Sequence, residues 1–140
     1  MPSNDNMKIS KNFTIEEFTH SNTAKKYSIP NIPGIEETKN IHHLVTYLLQ
    51  PLRTAYGKAI YISSGYRCPK LNKRVGGVPS SQHVKGEAVD CMVEGSVSEL
   101  LDILKVSPLP FDQAILYRKR NFLHLSLKES GNRKQVINRD

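Results

Sequence analysis

No long apolar run occurs anywhere in this chain of 140 residues. Its hydrophobic stretches are a few residues each, against the roughly 20 that a helix needs to cross a bilayer, so no membrane span is expected. The first six residues, Met1 to Asn6, are polar and contain no apolar segment of the kind a secretory leader carries. The chain therefore reads as made in the cytoplasm and delivered by another route, or as an exported protein whose leader is already trimmed. Cysteine is scarce. Cys68 and Cys91 are the only two, and without an export signal they read as free thiols rather than a disulfide. Internal repeats and low-complexity tracts are missing. The six tyrosines and four phenylalanines show no stacking pattern like that of RNA-binding sheets. That matters because a formal net charge of +7 and a pI near 9.5 would otherwise support nucleic-acid binding. The basic residues are scattered. Only Arg118-Lys119-Arg120 forms a tight run, and it reads as a solvated hairpin end. No nucleic-acid partner is expected, and another anionic polymer fits the charge equally well.

What is present suits one α+β domain over residues 1–140, with 1–12 and 130–140 as loosely packed ends. The 38% hydrophobic content, eight glycines and eight prolines are ordinary for a soluble protein of that class. Thr14, three residues before Glu17, predicts a capping box on a short helix. Pro30 and Pro33 make Ser21 to Pro33 a surface loop. Ile41, Leu44, Val45, Leu48, Leu49, Leu52 and Ala55 recur at helical spacing, which predicts a main helix over Ile35–Tyr56, kinked or broken just before Pro51 and ended by Gly57. A strand follows over Ala59–Ser63, then a loop carrying Tyr66 and Arg67, and a possible short helix through Asn72 and Arg74. Ala88–Val93 alternates as a strand. Ser96 or Ser98 caps a helix that presents Val97, Leu100, Leu101 and Leu104 inward. Two strands, Phe111–Tyr117 and Phe122–Leu127, flank a turn at Arg118–Asn121.

The chemistry concentrates in Ser81-Gln82-His83-Val84-Lys85-Gly86-Glu87-Ala88-Val89-Asp90. Gly86 lets the chain fold back, so the His83 imidazole and the Asp90 carboxylate can converge from adjacent segments, while Cys91 points the other way. This is part of a metal site. Zinc takes nitrogen and carboxylate ligands at roughly 2.0–2.2 Å, and a catalytic zinc uses three protein ligands plus an open position. The third donor is His124, which shares a strand face with Phe122 and Ser126 while Leu123, Leu125 and Leu127 take the opposite side. A core histidine satisfied by a carbonyl would be the commoner reading of either histidine alone. Arg67 offers a planar fork that matches a carboxylate.

These residues resemble a known family. Ser-x-His-x-x-Gly-x-Ala-x-Asp with a late His-x-Ser strand looks like the zinc D-Ala-D-Ala peptidases of bacterial cell walls, metallopeptidase family fifteen, subfamily A. Ser63-Ser64-Gly65-Tyr66-Arg67-Cys68-Pro69, Leu71-Asn72, Val75-Gly76-Gly77-Val78, Phe111-Asp112-Gln113, Phe13 to Phe18 and Leu49-Gln50-Pro51-Leu52-Arg53 follow the family in the same order. The resemblance implies a hedgehog/D-Ala-D-Ala peptidase-like fold, a small antiparallel sheet packed on helices. It also implies one zinc ion on His83, Asp90 and His124, and hydrolysis of peptidoglycan stem peptides by a carboxypeptidase or endopeptidase. Arg67 would contact substrate or transition state, Ser81 would touch substrate, and Gln82 and Tyr66 would help bind it. Relatives place a glutamate three residues before the last zinc histidine or a histidine five before it. Asn121 and Lys119 stand there instead, which makes Asp112 the carboxylate expected to act as general base or to orient a zinc histidine, ahead of Glu87. That substitution keeps an alternative open, a zinc-retaining module that binds wall peptides or a partner without cutting. The expected protein is a monomer acting at the cell wall, released as a phage or prophage product would be, or exported.

Overall fold

Five strands and six α-helical segments make up the computed structural model, which describes residues 7–140; the polar segment Met1 to Asn6 lies outside the described residues. Helix α1 (Ile15–Thr19) starts at the predicted capping box of Thr14 and Glu17. Helix α2 (Asn22–Lys26) stands where a loop was expected. Its cap is Ser21, whose hydroxyl accepts the Ala24 N–H at 3.1 Å. Pro30 and Pro33 restrict only residues after α2 and do not reach it.

The main helix runs as α3 (Ile35–Leu44), a π-helical segment (Val45–Leu49) and α4 (Gln50–Tyr56). No break separates them. The widened turn lies immediately before Pro51, where the ring of an undistorted α-helix would collide with the Tyr47 carbonyl. Gly57, at φ +80°, ends the element in the left-handed region. Ile41, Leu44, Val45, Leu48, Leu49 and Leu52 are all buried, each burial stabilising by about 1.5–3 kcal/mol. Ala55 falls outside the stripe and is exposed.

The sheet comprises β1 (Tyr61–Ser64), β2 (Ala88–Met92), β3 (Gln113–Tyr117), β4 (Phe122–Ser126) and β5 (Gln135–Arg139), in the order β1-β2-β4-β3-β5. Four strands are antiparallel, and β5 joins the edge parallel to β3. The tail expected to be loosely packed thus supplies an edge strand. Two helices complete the order, α5 (Pro69–Arg74) after β1 and α6 (Val97–Val106) after β2. The hydroxyl of Ser96 caps α6 by accepting the Ser98 N–H, and Val97, Leu100, Leu101 and Leu104 are buried as predicted. One sheet face, Val89, Cys91, Ala114, Leu116, Leu123 and Leu125, packs into a single core with α1, the main helix and α6. The period of two then places Asp90, Ile115, Tyr117, Phe122 and His124 on the other face. Among the described residues no helix is long and apolar enough to cross a membrane.

Candidate metal centre

Strand pairing assembles most of the site. Asp90 on β2 lies directly opposite His124 on β4, a cross-strand pair whose Cβ atoms are about 4.5–5.5 Å apart by sheet geometry. The His124 Nδ1 is 3.0 Å from Asp90 Oδ1. His83 arrives from the loop before β2. Its Nδ1 donates to the Gly65 carbonyl at 2.7 Å, which can only accept, so the proton is on Nδ1 and Nε2 presents a lone pair. That Nε2 stands 3.4 Å from the same Asp90 oxygen.

Two glycines make this approach possible. Gly86 has φ +76°, and a Cβ there would run into the Glu37 carbonyl oxygen of α3. A Cβ on Gly65 would meet the Phe18 carbonyl oxygen at 2.6 Å. Asn40 of α3 also holds the loop by donating to the Lys85 carbonyl at 2.8 Å.

The donor set fits a divalent ion. One ligand atom from each of His83, Asp90 and His124 lies within 4.8 Å of the others, and ligands of a tetrahedral zinc at about 2.0–2.1 Å stand about 3.3 Å apart. Asp90 is ionised. Burial alone would push its carboxyl up, but the hydrogen bond from His124 at 3.0 Å, with His83 close by, outweighs burial and holds it well below the usual carboxylate range. Two imidazoles and a carboxylate, with His83 oriented by a backbone carbonyl, match the kind of donor set that a zinc with one open position uses.

Arg67 belongs to the same cleft, a cavity of about 420 Å³ lined also by Gly76, Gly77, Ser81 and the three ligand residues. Its backbone N–H donates to the His83 carbonyl at 3.1 Å, so ligand and guanidinium share one scaffold. The Nε is buried without a hydrogen-bond partner, a costly condition that an anionic ligand would relieve. Burial lowers the Arg67 pKa, nearby Asp90 raises it, and the side chain remains a cation. Asn31, which sequence reasoning passed over, fixes this loop. Its amide donates to the Thr19 and Tyr66 carbonyls at 2.9 Å each, and its oxygen accepts the Cys68 N–H at 2.8 Å. Its position between Pro30 and Pro33 was the available signal, since an asparagine there is placed to satisfy irregular backbone.

The other predicted residues divide. Ser81 lines the metal cleft, and its hydroxyl accepts the His83 N–H at 3.2 Å. It also lines a second depression, shared through Val78 and His124, that contains Gln82, Glu87, Gln113 and Asp112. A groove therefore extends past the ligands on that side. Tyr66 is part of the hydrophobic core rather than a lining of the metal cleft.

Asp112 corrects the expectation placed on it. The residue is completely buried, and its carboxylate accepts from the Arg133 backbone N–H at 2.9 Å, from Arg133 Nε at 3.0 Å and from Arg133 Nη2 at 2.7 Å. Lys128 Nζ is 3.8 Å away. Chiefly through the Arg133 hydrogen bonds, its pKa is held down to about 2. Neither zinc histidine bonds to it. Asp112 is thus a clamp for the chain leading into β5, and so weak a base is poorly matched to taking a proton near neutral pH. Asn121 and Lys119 offer no substitute. Asn121 sits at φ +54° in the hairpin turn and is bonded to Val97 N–H and the Gly95 carbonyl, while Lys119 is exposed. Cys91 is buried behind Asp90, with its thiol pushed up by burial and the adjacent carboxylate, and both cysteines are free.

None of the curated proteins compared with the chain matches it. One protein-family profile, described as Peptidase M15, matches residues 11–126. That span contains all three ligands, Arg67 and the strands that carry them, in a family whose members are typically zinc-dependent. The chain belongs to the Peptidase M15 family, and its His83, Asp90 and His124 side chains lie close enough together to hold a metal ion.

Proposed function

We propose that this metallopeptidase hydrolyses peptide bonds in the stem peptides of peptidoglycan, as a D-Ala-D-Ala carboxypeptidase or as an endopeptidase, with one zinc ion on His83, Asp90 and His124. The observation that carries this reading is the partnerless, buried Nε of Arg67 in the cleft that contains the three ligands. A guanidinium left without a partner beside a metal site is equipped to hold a substrate carboxylate or a developing oxyanion. Zinc bound there would lower the pKa of a water from about 15.7 to about 7 and polarise the scissile carbonyl.

The residues divide the remaining work. Arg67 anchors negative charge, His83 is kept in one tautomer by Gly65, and Ser81 holds the turn that presents His83. Gln82 lies where the groove continues beyond the ligands and contacts an extended peptide there. Of the two carboxylates in that depression, Glu87 has only the Gln82 amide near it, at 3.5 Å, whereas Asp112 is neutralised by Arg133 and Lys128. Glu87 therefore takes the proton-transfer role in this proposal. Its side chain lines that depression together with Gln82 and His124.

A second reading follows from Asn121. The position where relatives carry a catalytic glutamate here braces a turn, consistent with a domain that keeps zinc and binds wall peptides without cutting them. Digestion of defined muropeptides with and without chelator, followed by mass spectrometry and metal analysis, separates the two. Chelator-sensitive cleavage that Glu87→Gln reduces supports the enzyme. Zinc with muropeptide binding and no cleavage supports the module, and protein that binds no zinc sinks both.

A further inference from the structure

The hairpin between β3 and β4 places a second guanidinium in the metal cleft. Of the run Arg118-Lys119-Arg120, expected to be a solvated end, only Arg120 lines the cavity that holds the ligands and Arg67. The other two do not. Arg120 rests on a prepared surface: Tyr117 and Phe122 are opposite one another on β3 and β4, and their rings stack at 4.3 Å with 10° between planes. The guanidinium carbon is 5.0 Å from the Tyr117 ring and 5.1 Å from the Phe122 ring. Among the described residues no acid pairs with it. Asp90 is the one acidic residue lining this cavity, and two histidines already hold it.

We propose that Arg120, braced by Tyr117 and Phe122, forms a second anion subsite that selects substrates carrying a free carboxylate in addition to the group met by Arg67. The inference rests on the peptidase reading above and narrows its substrate class. Contact with the shared edge of two stacked rings restricts the exposed side chain before any ligand arrives, so less rotamer freedom is lost when it grips a carboxylate in bidentate fashion. Arg67 comes from the loop after β1 and Arg120 from the far ends of β3 and β4, while Asp90 and His124 stand on the strands between. A peptide lying across the ligands offers one flank to each cation. A neutral carboxamide in place of the second carboxylate cannot use the charge on Arg120.

The test uses a set of synthetic stem peptides in which each carboxylate in turn is replaced by a carboxamide, with wild type and Arg120→Gln. In the wild type, one such replacement should lower kcat/KM at least tenfold, through KM. Arg120→Gln should lose about as much against the free acid and become indifferent to that replacement, with zinc content and Tm unchanged, and Arg120→Lys should recover part of the preference. An Arg120→Gln profile matching the wild type across the set overturns the subsite. If the wild type cleaves none of the peptides, calorimetric binding to the zinc-loaded protein still decides. A tenfold preference for one free acid, lost in Arg120→Gln, keeps the subsite while the peptidase reading fails; equal affinities remove the subsite.

Discussion

Asp112, fully buried just before β3, and Asp90, partly buried on β2, are carboxylates with opposite surroundings. Asp112 is wrapped by permanent cations: Arg133 supplies three hydrogen bonds, and Lys128 stands beyond. Its charge is already balanced within the fold. Asp90 is held instead by two imidazoles that meet at one of its oxygens, beside a guanidinium with an unused donor. Both acids are shifted toward the ionised form, so a low pKa alone does not separate a clamp from a site. What separates them is incompleteness: at Asp90 there are lone pairs and donors that the protein itself does not use, and a dication with an anionic substrate would complete them.

The largest effect should come from breaking the incomplete cluster. His124→Ala is expected to lose zinc on dialysis and to lower kcat/KM by on the order of 10³-fold or more. Metal analysis and a thermal titration check it, since saturating zinc at about 100 times Kd should stabilise the wild type by about 2.7 kcal/mol and leave the variant unmoved. Next comes Arg67→Ala, which should keep its zinc and its zinc-dependent Tm shift while kcat/KM falls by about 10²–10³-fold. Normal turnover in that variant would remove Arg67 from the chemistry and with it the observation on which the substrate assignment leans.

The candidate metal site was legible because its residue types and strand alternation agree. His124 opposes its leucine neighbours, Asp90 opposes Cys91, and Gly86 marks the turn between ligand segments. The resemblance to the peptidases joined these pieces, and the structure adds the register that sets Asp90 against His124. Asp112 was misjudged because its partner, Arg133, lies 21 residues on in a tail that reads as loose. That tail forms β5 with only Val136 and Ile137 to mark it, too short an apolar signal to stand out. Helix α2 had a visible cap in Ser21, outweighed by prolines further on that act only beyond it. Arg120 was invisible as a site residue for a different reason: a basic run at a hairpin end is usually solvated, and all three cations are exposed, but only Arg120, beside the Tyr117–Phe122 pair, lines the cleft.

Against the completed cluster the effects should be smaller and should leave chemistry intact. Asp112 titrates near 2 when folded, below the roughly 3.9 of an unfolded aspartate, so the native state binds fewer protons in that interval. Its contribution is fully present above about pH 4 and is lost as pH falls through 2. The full shift corresponds to between about 2 and 3 kcal/mol, and since Arg133 is half exposed, about 1 kcal/mol is the reasonable expectation after screening. Asp112→Asn should therefore flatten the acid limb of a denaturant-measured stability profile between about pH 4 and 2. It should keep the zinc-dependent Tm shift, and loss of that shift would show that the clamp and the metal centre are coupled.

The smallest expected effect on activity belongs to Asn121 and sharpens the question of the missing base. Its side chain accepts the Val97 N–H at 3.0 Å at the start of α6 and donates to the Gly95 carbonyl at 2.7 Å, while its backbone holds φ +54°. Asn121→Ala removes both contacts and leaves a left-handed position that alanine disfavours, a stability cost of about 2 kcal/mol. Asn121→Gly relieves the backbone strain and loses only the contacts, so it should unfold at slightly higher denaturant than the alanine variant. Both should retain wild-type kcat, because the side chain faces the helix layer and not the groove. A drop in kcat with unchanged stability would instead place Asn121 in the proton path and return the role of base, now given to Glu87, to the hairpin.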